Sequence, residues 1–254
     1  MSMLIASKKL RLQFFKRASL AVASVFSLSL VAYLGVLPTV AQTENALVSQ
    51  ALNDSRISDL LLQQADALLQ RNPRDSRAYE TRVAVFLQRG WLDKAIEDLR
   101  SLCSINPEDT RLLEMKATAE AIKGDFSNGI ADITKAISLN PHAARYYCCR
   151  ATILLHANRL TDASADSQKA LNLDSRLAPA YENLAEIQYR MKNYHITIEY
   201  CNSAIARAPS FADAYYYRSL AYEQMHNQLQ AALDKAKAKE LGFSEPTIFK
   251  NKYM

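Results

Sequence analysis

A spacing of 34 residues recurs along the chain from about residue 76 to its end. Prolines keep this interval and are interrupted once, at Ser175; they are Pro73, Pro107, Pro141 and Pro209. Small residues keep it as well, at Ala95, Gly129, Ala163, Thr197 and Ala231. A period of this length is typical of stacked supersecondary units, each of which buries its apolar face against its neighbours rather than in one central core.

Each unit is predicted to be a pair of short helices. In the first unit Tyr79, Val83 and Phe86 recur every three to four residues, which marks one helical face. Gly90 interrupts this pattern, and a second apolar face begins at Leu92. A proline then ends the second helix, because it lacks the backbone N–H that the helix needs. Neither helix can bury its apolar stripe alone, so we expect the units to stack.

The period, the small residues at fixed positions and the closing proline resemble the tetratricopeptide-repeat family, most clearly in Ala178–Pro209 and in Ile130–Pro141. The resemblance implies an all-α fold, a right-handed α-solenoid of stacked antiparallel helix pairs. It implies five repeats over residues 76–243, a degenerate repeat over 42–75 and a tail over 244–254. Within the degenerate repeat, Ile57–Pro73 is the expected second helix and Glu44–Leu52 a poor first one. The resemblance is specific for the fold and says little about activity.

The repeats can be compared with one another, and two slots change together. The first helices hold a cation at Arg82, Lys116, Arg150 and Arg218, and the second helices hold an aspartate at Asp98, Asp132, Asp166 and Asp234. The fourth unit has lost both charges and has Leu184 and Tyr200 instead. Paired loss indicates contact, so we predict a salt bridge within units one, two, three and five and an apolar contact in unit four. We interpret these charges as scaffold rather than as an anion site, because each has a matched partner.

Residues 1–41 differ in composition from the rest. A basic start without acidic residues is followed by Ala18–Leu37, which carries no charge, and by small residues at Thr39 and Ala41. This order predicts a secretory signal cleaved after Ala41. The apolar stretch is also long enough to cross a bilayer as an uncleaved anchor, and an organelle transit segment is a third alternative. The first two readings place the repeats on the extracytoplasmic side, because basic flanks stay inside.

The net charge of +5 comes from this segment. The chain has 31 basic and 26 acidic residues, and residues 1–41 hold five of the basic ones, so the remainder is formally neutral. The charge therefore gives no support for nucleic-acid binding.

Residues that could carry chemistry form no recognisable motif. The four histidines, His142, His156, His195 and His226, have no metal-ligand spacing to each other or to the cysteines. Cys103 and Cys201 are expected in the core, whereas Cys148 is expected to face a groove. The five glycines form no phosphate-binding loop. We therefore predict no catalytic residue, no metal and no cofactor.

The family resemblance implies that the first helices line a concave surface that takes a peptide or a protein partner. The lining it implies is Arg77, Glu80, Arg111, Glu114, Arg145, Cys148, Thr152, Glu182, Glu186, Tyr189, Tyr216 and Tyr217. Arg111 and Glu114 are three residues apart, a spacing at which they can pair on a helix. In repeat three the position of Glu114 holds Cys148, so Arg145 has no acid at this spacing and is expected to be open to a ligand. The three tyrosines either anchor a partner or belong to the stack. The family's clamp for a C-terminal carboxylate is not expected, because only Asn183 matches its asparagines.

These features predict a non-catalytic interaction module on the extracytoplasmic side. The alternative is an accessory or assembly subunit of a membrane complex, held by an uncleaved N-terminal helix. A solvated helix over Gln228–Leu241, ended by Gly242, is expected to cap the stack.

Overall fold

The computed structural model describes residues 55–243, in which all the regular structure is helical. Eleven helices follow one another in this range: α1 Ser55–Arg71, α2 Ser76–Gln88, α3 Leu92–Ile105, α4 Thr110–Lys123, α5 Phe126–Leu139, α6 Ala144–His156, α7 Leu160–Leu173, α8 Ala178–Arg190, α9 Tyr194–Arg207, α10 Ala212–Gln224 and α11 Gln228–Glu240. Each even-numbered helix is the first helix of a repeat, and the odd-numbered helix after it is the second. The expected second helix of the degenerate repeat is α1.

Neighbouring helices pack in sequence order, as in a stack of helix pairs. Contacts divide the chain into two compact units, which within the described range are 55–132 and 133–243. The boundary lies inside α5, a division that the repeat pattern does not predict. In the second unit each first helix also packs against the next first helix, α6 on α8 and α8 on α10. The predicted fold class, stacked helix pairs of the tetratricopeptide type, is confirmed.

Stacking in the first unit is apolar. Leu92, Ile96, Leu99 and Cys103 of α3 lie in one cluster with Leu112, Met115, Ala119 and Ile122 of the next first helix, α4. The small residues allow helices to approach closely. At Gly129, an added Cβ would lie 2.8 Å from the backbone oxygen of Ala117. Glycine is therefore the residue that this close approach of α5 to α4 requires.

The turn between the two helices of every repeat has the same backbone conformation. One slot in it has a positive φ in all five repeats: 71° at Gly90, 97° at Gly124, 61° at Asn158, 64° at Lys192 and 60° at His226. Glycine adopts this left-handed conformation without strain, whereas side chains with a Cβ adopt it at a cost. Lys192 and His226 therefore hold a strained turn that the packing of the helix pair imposes.

The last helix ends as expected. Gly242 has a φ of 85°, and the backbone N–H of Phe243 donates to the carbonyl of Ala238 at 2.8 Å. Between residues 55 and 243 no helix combines the length and the apolar character needed to cross a bilayer. The predictions for residues 1–41, for Glu44–Leu52 and for the tail after Phe243 lie outside the described residues.

Candidate functional site

All four charge pairs predicted from the repeats are ion pairs in the structure. Three are bidentate: a guanidinium donates two hydrogen bonds, of 2.6–2.9 Å, to the aspartate sixteen residues later, in Arg82–Asp98, Arg150–Asp166 and Arg218–Asp234. In the fourth pair, Lys116 Nζ lies 3.0 Å from Asp132 Oδ2. The three aspartates that face arginine are buried, and the arginines are half-buried. The hydrogen bonds that Arg150 and Arg218 donate to Asp166 and Asp234 raise the pKa of the two guanidinium groups. These charges therefore hold the two helices of a repeat together.

Each of these arginines also reaches back to the preceding repeat. The remaining Nη1 donates to a residue sixteen positions earlier: Asp66 for Arg82 at 2.8 Å, Thr134 for Arg150 at 3.1 Å and Asn202 for Arg218 at 2.6 Å. One arginine thus ties three helices. In the second repeat the residue sixteen positions before Lys116 is Arg100, which is itself a cation. An arginine in place of Lys116 would therefore find no hydrogen-bond acceptor on the preceding helix. Lysine, with one compact charge, fits that position.

The fourth repeat lacks the charges and fills the space with apolar groups. Leu184 is buried, and Tyr200 packs against the same cluster, which also contains Ala170 and Leu171. The expected apolar replacement is therefore present.

The lining predicted for the first unit is polar. Arg77 and Arg111 are exposed, and Glu80 and Glu114 are half-buried. The structure pairs Arg111 with Asp109: Nη2 donates to Oδ2 at 2.8 Å and Nε to Oδ1 at 3.2 Å. Asp109 is also the N-cap of α4 and accepts from the backbone of Arg111. Burial opposes the effect, but the hydrogen bonds from Arg111 lower the pKa of Asp109. At this position the carboxylate of Asp109 is stabilised both by the guanidinium of Arg111 and by the positive end of the helix.

Arg145 is not open in the way that the sequence predicted. Its guanidinium lies over the ring of Tyr146, 4.6 Å from the centroid, and Nη2 donates to the hydroxyl of the same tyrosine at 2.7 Å. The ring of Tyr146 is buried, which fixes the arginine beside it. The prediction overlooked this partner because it compared Arg145 only with residues one turn away.

Cys148 is buried rather than groove-facing, because the next first helix covers it. Asn183 donates to the carbonyl of Cys148 at 3.3 Å and to Thr152 Oγ1 at 3.1 Å. Thr152 is half-buried and also donates to the carbonyl of Cys148. Asn183, the one asparagine that matched the carboxylate clamp, therefore bonds α8 to α6 inside the protein.

Glu186 and the three tyrosines, which the sequence placed in the partner-facing lining, are buried as well, and for the tyrosines the structure agrees with the alternative that they belong to the stack. Tyr217 donates its hydroxyl to Glu186 Oε2 at 2.5 Å, and Arg190 pairs with the other oxygen of Glu186. The ring of Tyr189 lies against Tyr217, with centroids 6.5 Å apart. Burial, followed by the nearby Glu186 carboxylate, raises the pKa of Tyr217. The carboxylate of Glu186 is tolerated in the interior because Arg190 and the hydroxyl of Tyr217 satisfy its two oxygens.

Tyr216 is covered by the end of the described chain. Phe243 stacks on it with ring centroids 4.3 Å apart and an interplanar angle of 25°. Of the predicted lining in the second unit, Arg145 is exposed and Thr152 and Glu182 are half-buried. The surface that remains on the first helices is therefore polar rather than aromatic.

The cysteines are free thiols. Burial raises the pKa of the Cys201 thiol far above its ordinary value, so this thiol stays protonated. Among residues 55–243, no three side chains of histidine, cysteine, aspartate or glutamate are grouped so as to hold a metal ion.

Comparison with known proteins identifies the fold. No protein-family model matches the chain, and no characterised protein matches it significantly in sequence. Among solved structures, MamA from Desulfovibrio magneticus RS-1 is similar with a TM-score of 0.54 and 18% identity, over 66% of this chain and 94% of MamA. PilW, a type IV pilus biogenesis factor, gives 0.63 and 15% over 80% of this chain and 94% of PilW. The Cut9–Hcn1 hetero-tetramer of the APC/C gives 0.66 and 13% over 91% of this chain and 45% of its own. These neighbours are built from tetratricopeptide repeats, and the likeness establishes that fold.

Proposed function

We propose that this chain of tetratricopeptide-repeat fold is a non-catalytic scaffold that binds a peptide or protein partner through the first helices of its repeats, on the extracytoplasmic side of a membrane. One observation carries the proposal: the slots that stack the repeats keep their character, whereas the outward slots of the first helices change from repeat to repeat. A surface that varies on a constant framework is what selective recognition needs.

The changing slots are explicit in the sequence. The slot of Arg77 is arginine in repeats one to three and becomes Pro179 and then Asp213. The slot of Glu80 is glutamate and half-buried in repeats one, two and four, whereas in repeats three and five it holds the buried Cys148 and Tyr216. Four of the five members of the first slot are exposed, and the fifth is half-buried. Their polarity favours a partner that supplies charges and hydrogen bonds along an extended segment.

Internal pairing in the rest of the molecule supports the non-catalytic part of the proposal. The three bidentate ion pairs join the two helices of a repeat, and the buried Glu186 is held by Arg190 and Tyr217. These charged groups bond to one another and so stabilise the fold. PilW is a pilus biogenesis factor and Cut9 is part of a hetero-tetramer, which supports a role in assembly.

The extracytoplasmic location rests on residues 1–41. Their basic start, uncharged stretch and small residues before Gln42 are the order of a secretory signal. Sequencing the N-terminus of the protein purified from its native cell tests this part. A start at Gln42 agrees with a cleaved, exported scaffold. An intact N-terminus in the membrane fraction would instead favour the anchored accessory subunit.

Binding to the first helices is tested with a display library of random 15-residue peptides selected on the full chain. Two variants change the exposed first-helix charges, Arg111→Glu in the first unit and Glu182→Lys in the second. Selected peptides should lose at least tenfold in affinity on one of these variants. Thr161→Glu is the matched control, because it places a charge at an exposed slot of a second helix, and it should leave affinity unchanged.

Two results would remove the proposal. One is a selection that enriches no peptide. The other is a set of peptides that bind both first-helix variants as tightly as the unchanged chain.

A further inference from the structure

Repeat two buries a carboxylic acid in a slot where the other repeats hold neutral side chains. Glu120 is 2% exposed, and its counterparts are Phe86, Leu154, Gln188 and Tyr222. Although its Oε2 is buried, no hydrogen-bond donor in the described part of the chain reaches this oxygen. An ionised oxygen without a partner is costly in the interior. The structure therefore favours a form of Glu120 that holds a proton.

This acid lies beside the ion pair that joins the two helices of its repeat. In repeat one the cation of that pair, Arg82, lies 5.4 Å from the centroid of the Phe86 ring, which occupies the slot of Glu120. In repeat two the pair is Lys116 and Asp132. Side chains on a helix lean toward its N-terminus, so Glu120 leans back along α4 toward this pair. Its carboxyl hydrogen-bonds to that of Asp132, and because ionised carboxyl groups only accept hydrogen bonds, this bond requires a proton between the two.

A second partner for Glu120 lies on the preceding repeat. Arg100 Nη2 of α3 is 3.9 Å from Glu120 Oε1, which is close enough for an ion pair but too long for a hydrogen bond. The Arg100 side chain is 61% exposed, so it has room to approach. The remaining charged groups that face Glu120 are Lys116 of its own helix, Asp125 of the turn and Asp132 of α5. Both aspartates oppose a negative charge on Glu120, and Lys116 is bound to Asp132.

Comparison of the repeats shows that an acid at Glu120 and a cation at Arg100 occur together. In repeats one, three and five the arginine of the ion pair bonds back to a residue sixteen positions earlier, at Asp66, Thr134 and Asn202. Repeat two alone has a cation, Arg100, in that slot, and it alone has an acid in the slot of Glu120. The link to the preceding repeat is thus reversed in repeat two, with the acid on the first helix and the cation on the second helix before it.

Glu120 exchanges its proton near neutral pH. Burial, followed by the hydrogen bond to Asp132 and the charge of that aspartate, raises the pKa of Glu120 to about 7, while Lys116 opposes the shift. The helices that carry the two carboxyls pack closely, because Gly129 of α5 has no Cβ to meet the backbone of α4. Loss of the proton therefore leaves two negative charges together between packed helices.

We propose that Glu120 is a pH-sensitive switch that changes the helix to which α4 is bonded. With its proton, Glu120 donates to Asp132 and joins α4 to α5 within repeat two. Once the proton has passed to solvent, the two carboxylates repel each other, and Glu120 pairs with Arg100 of repeat one. The arginines that make the equivalent links in the other repeats stay charged. The switch belongs to the fold and does not depend on partner binding by the first helices.

Urea unfolding of the full chain at pH 5.5 and pH 8.5, on either side of the pKa of Glu120, tests the pair with Arg100. Arg100→Ala should increase the equilibrium constant of unfolding about threefold at pH 8.5, where Glu120 is ionised, and leave it unchanged at pH 5.5. In the Glu120→Gln background, whose amide keeps a donor for Asp132 and never ionises, Arg100→Ala should have no effect at either pH. Gln168→Ala, at the slot of Arg100 in repeat four, is the matched control and should show no pH dependence.

Hydrogen–deuterium exchange of the unchanged chain tests the switch without a substitution. After correction for intrinsic rates, α5 should exchange about tenfold faster at pH 8.5 than at pH 5.5, α7 of repeat three should not change, and Glu120→Gln should remove the difference. The proposal is overturned if Arg100→Ala acts equally at both pH values, or if its effect persists in the Glu120→Gln background. Equal protection of α5 at both pH values would overturn it as well.

Discussion

Glu120 is a buried acid in a slot that the other repeats fill with Phe86, Leu154, Gln188 and Tyr222. It is 2% exposed, and its Oε2 is buried without a hydrogen-bond partner in the described part of the chain. Burial, together with the hydrogen bond and charge of Asp132, raises its pKa to about 7, while Lys116 opposes the shift and Asp125 adds to it. Arg100 lies 3.9 Å from the other oxygen and is largely exposed.

The sign of the effect on stability follows from this shift. The ordinary pKa is 4.5, so between pH 4.5 and about 7 the folded chain binds more protons at Glu120 than the unfolded chain does. Its contribution to the free energy of unfolding is fully present below pH 4.5 and is lost as the pH rises to about 7. Each pKa unit corresponds to about 1.4 kcal/mol, so the loss is about 3 kcal/mol.

Replacing the acid with the residue of repeat three, Glu120→Leu, should therefore raise the free energy of unfolding at pH 8 by about 2–3 kcal/mol. The gain should be much smaller at pH 4.5. Urea unfolding of the full chain at a series of pH values measures it, and Gln188→Leu in the same slot of repeat four is the matched control without a pH-dependent gain. The same pH dependence of the free energy of unfolding between pH 4.5 and 7 in Glu120→Leu and in the unchanged chain would show that Glu120 does not titrate with a raised pKa.

Three further experiments test the packing. Gly129→Ala should cost about 1–3 kcal/mol in urea unfolding, because its Cβ would meet the carbonyl of Ala117; an unchanged midpoint contradicts the close approach. His226→Gly should raise stability by about 0.5–1 kcal/mol by relieving a left-handed turn, and a loss would show that the histidine side chain stabilises the turn. Arg150→Ala and Asp166→Ala should show a coupling energy of about 1–3 kcal/mol in a double-mutant cycle, and a value near zero would remove the scaffold interpretation of that pair.

The repeat period made the fold and the ion pairs predictable, because both depend on which slots change together. The pair of Arg150 and Asp166 could be inferred from the fourth repeat, where both charges are lost. The hydrogen bond from Arg150 to Thr134 of the preceding repeat was not predicted. The residues at the same position in the other repeats, Asp66 and Asn202, differ from threonine in chemical type. Only their common ability to accept a hydrogen bond could have indicated it.

The candidate site was predicted less well, because slot position gives the direction of a side chain and not what covers it. Tyr217 and Glu186 are 31 residues apart and satisfy each other inside the stack. Tyr216 is covered by Phe243, which follows the last helix. The left-handed turn slot was also overlooked, because glycine appears in it only at Gly90 and Gly124.

We propose that the first helices bind the partner, whereas the paired charges hold the helices of the scaffold together. Hydrogen–deuterium exchange of the full chain, with and without a 15-residue peptide from the display selection, tests it most directly. We expect slower exchange in first helices, among α2, α4, α6, α8 and α10, with the second helices unchanged. Protection confined to second helices, or no protection by a peptide that binds, would contradict it.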